Sequence, residues 1–363
     1  MSNRTVQKVF KPAITIILIW AVIFTAGVKV KAVEHYPITL TDCAGRKVEI
    51  PKKVKRIGCL YAFAGHAAVM LGGCDNIVAV SNGLKRDSLL LDICPAITEA
   101  LVPKSQGAVN LEELLKAETD LVFVSGDIGR NRAAIDKLDR MGIPWLVVDY
   151  ASIEEQQGAV EMIGRALGNP EKAGRYNQYY QECIERVRTV TSKIPENKRL
   201  RLYHSVNEAN RTTIDRGLAT DWLEVEGIIN VSLNPDKKLL EGSNFVSMEQ
   251  ILLWNPDVIL VNEPSVTRHI LTDKRWSTIK AVREKRVYQM PIAISRWGHP
   301  GSLETPLAIL WTAKKLYPGQ FSDLDMALET KAFYRDFFNY ELSDDLVKKI
   351  LSGKLLRKPK NLQ

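Results

Sequence analysis

A helical stretch from Glu171 to Lys193 constrains this chain more than any other feature. It has no proline, has no glycine beyond Gly174, and stands between two regions of strand–helix alternation. At ~1.5 Å per residue it spans roughly 33 Å, about the height of a domain. It follows a break at Gly168-Asn169-Pro170 and ends before Pro195. Upstream, apolar runs at 56–60, 77–80, 121–124 and 145–148 read as buried parallel strands, separated by helical segments at 65–72, 110–118 and 131–141. Downstream, strand-like runs at 200–203, 258–261 and 286–290 alternate with helical segments at 219–226, 247–254, 277–283 and 303–316. Residues 38–50 read as a hairpin around a glycine turn, and Lys331–Gly353 as an amphipathic helical cap. A chain of 363 residues can bury two cores. The long segment is then either a surface helix or a rigid connector between two α/β lobes.

The first 32 residues read differently. Arg4, Lys8 and Lys11 precede the apolar run Ala13–Gly27, and Val30-Lys31-Ala32 offers a cleavage point before Val33. A charged start with a short apolar core is the pattern of a secretory signal, and the run is short for a membrane span of about 20 residues. An uncleaved signal anchor is the alternative. No cysteine follows the run closely enough to accept a lipid anchor. Five basic residues precede the expected cut, so their removal takes the net charge from +8 to +3. A mildly basic mature chain gives no argument for nucleic acid.

The expected boundaries are a signal at 1–32, an N-terminal lobe at 33–170 and a linker helix at 171–193. A C-terminal lobe at 194–330 and a helical tail at 331–363 complete the chain. The cysteines are Cys43, Cys59, Cys74, Cys94 and Cys183, an odd number with no metal-finger spacing. Export permits a disulfide, with Cys74–Cys94 as one pairing. Cys59, at the end of a strand-like run, reads as a buried thiol. No HExxH, GxSxG or phosphate-binding glycine loop is present, and the five histidines lack catalytic metal spacing. The expectation is therefore a binding protein and not an enzyme.

Five stretches in order resemble one family. They are the hairpin with Arg56–Leu60 and Leu71-Gly72; Asn110-Leu111-Glu112 followed by Asp120-Leu121-Val122; Ser247-Met248-Glu249 followed by Asn255–Ile259; Trp297–Pro318; and the ending FYRDFFNYELSDDLVKKILSG. This pattern resembles the periplasmic binding proteins that serve iron-siderophore, heme and cobalamin ABC importers. The resemblance implies an α/β fold of two Rossmann-like lobes with mostly parallel sheets, joined by one long α-helix, with ligand held between them and little hinge motion. It implies export to the periplasm or cell surface and an ABC permease with its ATPase as partner. The expected cargo is an iron chelate of siderophore type, with heme or a corrinoid as the alternative. A metal-delivery chaperone or a receptor domain is a further reading. One departure concerns His66, which stands where many relatives carry an acidic residue.

In open α/β sheets ligands bind beyond the carboxyl ends of the strands. That rule selects Tyr61, His66, Lys85 and Arg86 from the first lobe, with Asp127, Arg130 and Arg132 after its third strand. From the second lobe it selects His204, Glu208, Arg211, Pro264–Arg268, Arg296, Trp297 and His299. Tyr and His can ligate heme iron, Trp297 offers a flat face, and arginines suit anionic oxygens. His66 packed within its helix, and His299 simply exposed in its loop, are the plainer readings. Trp311, in phase with Leu303, Leu307 and Leu310, reads as core. Glu112 and Glu249 stand at equivalent helix starts. They are either carboxylates complementing the helix dipole or, as the resemblance implies, the docking points for the permease. The metal ligands, if any, are left open.

Overall fold

The computed structural model describes residues 36–105, 108–140, 142–214, 217–233 and 244–354. The expected signal and its cut before Val33 lie outside the described residues, as does the end of the tail beyond Lys354. No helix among the described residues is long and apolar enough to cross a membrane.

A hairpin, β1 (Ile38–Thr41) and β2 (Lys47–Ile50), opens the chain. Its turn joins the first lobe where Cys43 N donates to Val147 O at 3.1 Å. The first lobe is a parallel sheet of β3 (Ile57–Cys59), β4 (Ile77–Val80), β7 (Leu121–Ser125) and β8 (Trp145–Val148), in spatial order β4-β3-β7-β8. Two two-residue strands, β5 (Lys104–Ser105) and β6 (Ala108–Val109), form a small antiparallel pair beside it. Its helices are α1 (Ala62–Met70), α2 (Ser88–Ile93), α3 (Ala96–Glu99), α4 (Leu111–Lys116), α5 (Gly126–Arg130), α6 (Arg132–Arg140) and α7 (Ile153–Ala166). The strands are continuous apolar runs because helices cover both faces: Leu121–Val124 and Trp145–Val148 are buried throughout.

The connector is α8 (Pro170–Thr191), 22 residues long. Proline at its first position costs nothing, since that N–H has no partner inside the helix. One face is apolar at helical spacing: Ala173, Tyr176, Tyr180, Cys183, Ile184 and Val187 are buried. That face packs on α7 on one side and α13 on the other.

The second lobe repeats the plan. Strands β9 (Arg201–Ser205), β10 (Ile229–Asn230), β11 (Val258–Val261) and β12 (Val287–Gln289) form a parallel sheet in the order β10-β9-β11-β12. Its helices are α9 (Leu218–Glu224), α10 (Met248–Trp254), α11 (Pro264–Thr272), α12 (Lys280–Arg283) and α13 (Thr305–Leu316). The tail is two helices where the sequence suggests one cap, α14 (Met326–Phe338) and α15 (Asp344–Leu351). Asn339 ends α14 in the left-handed conformation at φ 51°, which stops the helix. One apolar core runs from Leu40 in the hairpin through Tyr176 in α8 to Ile350 in α15, with Trp311 inside it. The lobes therefore share a core across the connector.

The two lobes are built alike in detail. Asp120 Oδ2 accepts from Arg56 N at 3.1 Å, and Arg56 Nη2 donates to Ala117 O at 2.9 Å. In the second lobe Asp257 Oδ2 accepts from Arg201 N at 2.8 Å, and Arg201 Nη2 donates to Trp254 O at 3.0 Å. A lysine closes each set: Lys52 and Lys280 stand 2.7 Å from Asp120 and Asp257.

Candidate ligand cleft and docking carboxylates

Tyr61 follows β3 and precedes the first residue of α1; Tyr150 follows β8 by two residues. Their hydroxyls are 3.1 Å apart. Phe63, fully buried, braces Tyr150 with ring centroids 4.7 Å apart. The second lobe reaches this pair through Gly301. A side-chain carbon placed there would sit 3.6 Å from Tyr61 Oη and 3.7 Å from Tyr150 Oη. With φ at +104°, the position favours glycine. Beside it Gln156 Nε2, from α7, donates to Ser302 O at 3.3 Å. Two phenols and bare backbone thus form a floor where the lobes meet. Burial pushes both phenols above the usual tyrosine range, so both stay neutral, and as one hydroxyl donates to the other the pair keeps one O–H to offer.

Arg296, Arg211, Arg130 and Arg132, expected in the cleft, have carboxylate partners in their own lobes. Arg296 Nη1 donates to Glu263 Oε1 and, at 2.6 Å, to Asn207 Oδ1. Arg211 pairs with Glu208 at 3.4 Å and lies 5.8 Å from the Phe245 ring. Arg130 bridges Asp127 at 3.0 Å and Asp149 at 2.6 Å. Arg132 pairs with Asp136, along its own helix. Lys85 Nζ donates to Thr98 O at 2.9 Å, and Lys85, Arg86 and His299 are half-buried.

Three expected cleft residues point inward instead. His66 is 3% exposed, and its Nε2 lies 3.2 Å from Asp87 Oδ2 inside the first lobe. Trp297 is fully enclosed, because its indole N–H needs an acceptor and finds Glu304 Oε1 at 2.9 Å. Glu304 also accepts from Ser295 N, Ser295 Oγ and Tyr334 Oη at 2.9, 2.6 and 2.6 Å. Burial raises the pKa of this carboxyl, and the hydrogen bonds oppose the rise. Trp297 therefore offers no flat face to a ligand. His204 is likewise interior, with Nε2 2.7 Å from Asn262 Oδ1. Among the described residues no group of three or more His, Cys, Asp or Glu is placed to hold a metal ion.

Tyr150, Gly301, Asn207 and Glu263 were not singled out from sequence. The rule that selects the loops after the first three strands reaches Tyr150 once applied to the fourth, at 145–148. Gly301 carries no such local signal. Surface hollows of about 490 Å³ at the end of α8 and 670 Å³ along α11 lie elsewhere.

Glu112 and Glu249 are both exposed. Asn110 Oδ1 caps α4, accepting from Glu112 N at 3.0 Å, and Ser247 Oγ caps α10, accepting from Gln250 N at 3.1 Å. Each glutamate stands eight residues before the aspartate of its lobe's Arg–Asp set. The carboxyl of Glu249 is held below the usual range by its own backbone N–H and by Ser247.

Known proteins resemble this chain over most of its length. The Molybdate-binding protein MolA of Haemophilus influenzae is 28% identical over 335 residues, covering 84% of this chain and 92% of that protein. Its structure bound to molybdate superposes with a TM-score of 0.74 at 24% identity, over 84% of this chain and 99% of that one. A periplasmic solute binding protein of Veillonella parvula gives a TM-score of 0.73 at 25% identity, over 86% and 96%. Residues 62–293 match the family model described as periplasmic binding protein, and the chain belongs to that family.

Proposed function

We propose that this protein is the extracytoplasmic receptor of an ABC importer. It captures an oxygen-rich metal species between its lobes and hands it to the membrane permease, whose ATPase drives uptake. The observation that carries the reading is the matched construction of the lobes. The Arg56–Asp120 and Arg201–Asp257 sets place one exposed carboxylate, Glu112 or Glu249, on each. Two separate charges on one rigid body fix its orientation on a partner and steer the encounter.

Neutral phenols on the floor suit ligand oxygens, whether of an iron chelate of siderophore type or of a metal oxyanion. The name of the Haemophilus relative supports the oxyanion. The enclosure of Trp297 removes the flat face that would favour heme or a corrinoid. Residues 1–32 direct export, by cleavage near Val33 or as a retained anchor.

The test is the metal content and absorption spectrum of protein purified from its native host, followed by equilibrium binding. Bound molybdenum, or iron without porphyrin absorption, is expected, with no turnover of the ligand. A Soret band would move the reading to heme, and cobalt with corrin absorption to a corrinoid. Protein that holds no metal species and binds none when supplied would sink it.

A further inference from the structure

The turn that leaves β4, residues 81–87, is tied down at several points. At its end, Asp87 meets His66 of α1 at 3.2 Å, with both side chains closed off from solvent. In its middle, Leu84 is fully buried against Gly65; a side-chain carbon on Gly65 would lie 2.3 Å from Leu84 Cδ1. The flanking segments are joined by a disulfide from Cys74, just before β4, to Cys94, which caps α2. At its start Ser81 N donates to Cys59 O at 2.8 Å, two residues before Tyr61. Lys85 and Arg86 lie between these anchors, half-buried at the carboxyl end of the sheet.

A turn fixed before ligand arrives need not be ordered on binding, and that saving appears as affinity. We infer that the His66–Asp87 pair and the Cys74–Cys94 disulfide are positioning devices that hold the Lys85–Arg86 turn as one wall of the cleft. His66 then acts on ligand through the turn and does not touch it. The inference rests on the reading of the cleft as the ligand site.

Hydrogen exchange on ligand-free protein reads the turn directly. In His66→Leu, and in Cys74→Ser/Cys94→Ser, amides of residues 81–87 exchange roughly tenfold faster while those of β3 and β7 hold. His66→Gln keeps a side-chain N–H for Asp87 and restores most of the protection. Binding is then measured with molybdate, a ferric siderophore, hemin or cyanocobalamin, whichever the wild type takes. Affinity falls about five- to tenfold in the loosened variants, and the fall disappears in a Lys85→Ala/Arg86→Ala background, as coupling through the turn requires. Unchanged exchange, exchange of the whole lobe together, or equal losses in both backgrounds overturns the inference. If His66→Leu or the serine pair fails to fold, Asp87→Asn carries the same comparison under the same criteria. A turn that loosens without loss of affinity overturns this inference alone. A wild type that binds none of the four probes overturns the cleft reading and this inference with it.

Discussion

Glu226 lies fully inside the second lobe, and neither of its carboxylate oxygens has a hydrogen-bond partner among the described residues. Burial alone holds its pKa well above the ordinary carboxylate value. The unfolded chain ionises first as pH rises, so stability is full below the ordinary value and declines toward the raised one. The slope is at most about 1.4 kcal/mol per pH unit. Glu226→Gln should flatten the difference in urea stability between pH 5 and pH 8; a variant whose profile parallels the wild type would refute this. His204 works in the opposite sense. Burial lowers its pKa from 6.5 to about 4. Stability is present above the unfolded value and is lost as pH falls through the folded one, by about 3 kcal/mol in total. His204→Gln should remove that loss between pH 6.5 and pH 4, and denaturation at stepped pH would show whether it does. At this scale the sequence locates loops better than side chains. The end-of-strand rule places Tyr61 and Arg296 in turns that follow β3 and β12, but it cannot tell which way a side chain faces. Trp297 turns inward to reach Glu304, and His66 to reach Asp87; both choices depend on burial that no local pattern records.

The connector helix was legible because its determinants are local. Pro170 starts it, and no later proline interrupts it. Its packing was not legible, since that depends on residues distant in sequence. Gly164 in α7 lets the two helices approach until a side-chain carbon there would sit 2.6 Å from Ala173 Cβ. Gly164→Ala should therefore destabilise the protein by about 1–3 kcal/mol through overpacking, despite alanine's better helix propensity. Thermal unfolding decides it: a midpoint at or above that of the wild type would mean the helices separate at no cost. The C-terminal end of α8 is tied as firmly. Thr191 Oγ1 donates to Val225 O at 2.8 Å, so the connector is fixed to the second lobe as well as to α7.

For the whole molecule, the two-lobed plan followed from alternation alone, while the near-identity of the lobes' internal sets emerged only in three dimensions. That likeness gives docking a geometric requirement. On the docking proposed above, the permease would read a spacing as well as a charge, because Glu112 and Glu249 are borne by corresponding helices of two lobes that share one core. Neither carboxylate takes part in the Tyr61–Tyr150–Gly301 floor, so reversing both should leave ligand affinity within a few-fold. Uptake into cells carrying the importer should be abolished in Glu112→Arg/Glu249→Arg and reduced in either single variant, since one remaining contact steers the encounter but no longer fixes orientation. Higher ionic strength should weaken the wild-type interaction in the same direction, as expected for exposed charges. Parallel ligand-binding and uptake assays separate the outcomes. Uptake that survives the double reversal would remove these carboxylates from docking, and binding that collapses with it would assign them to the fold or the cleft.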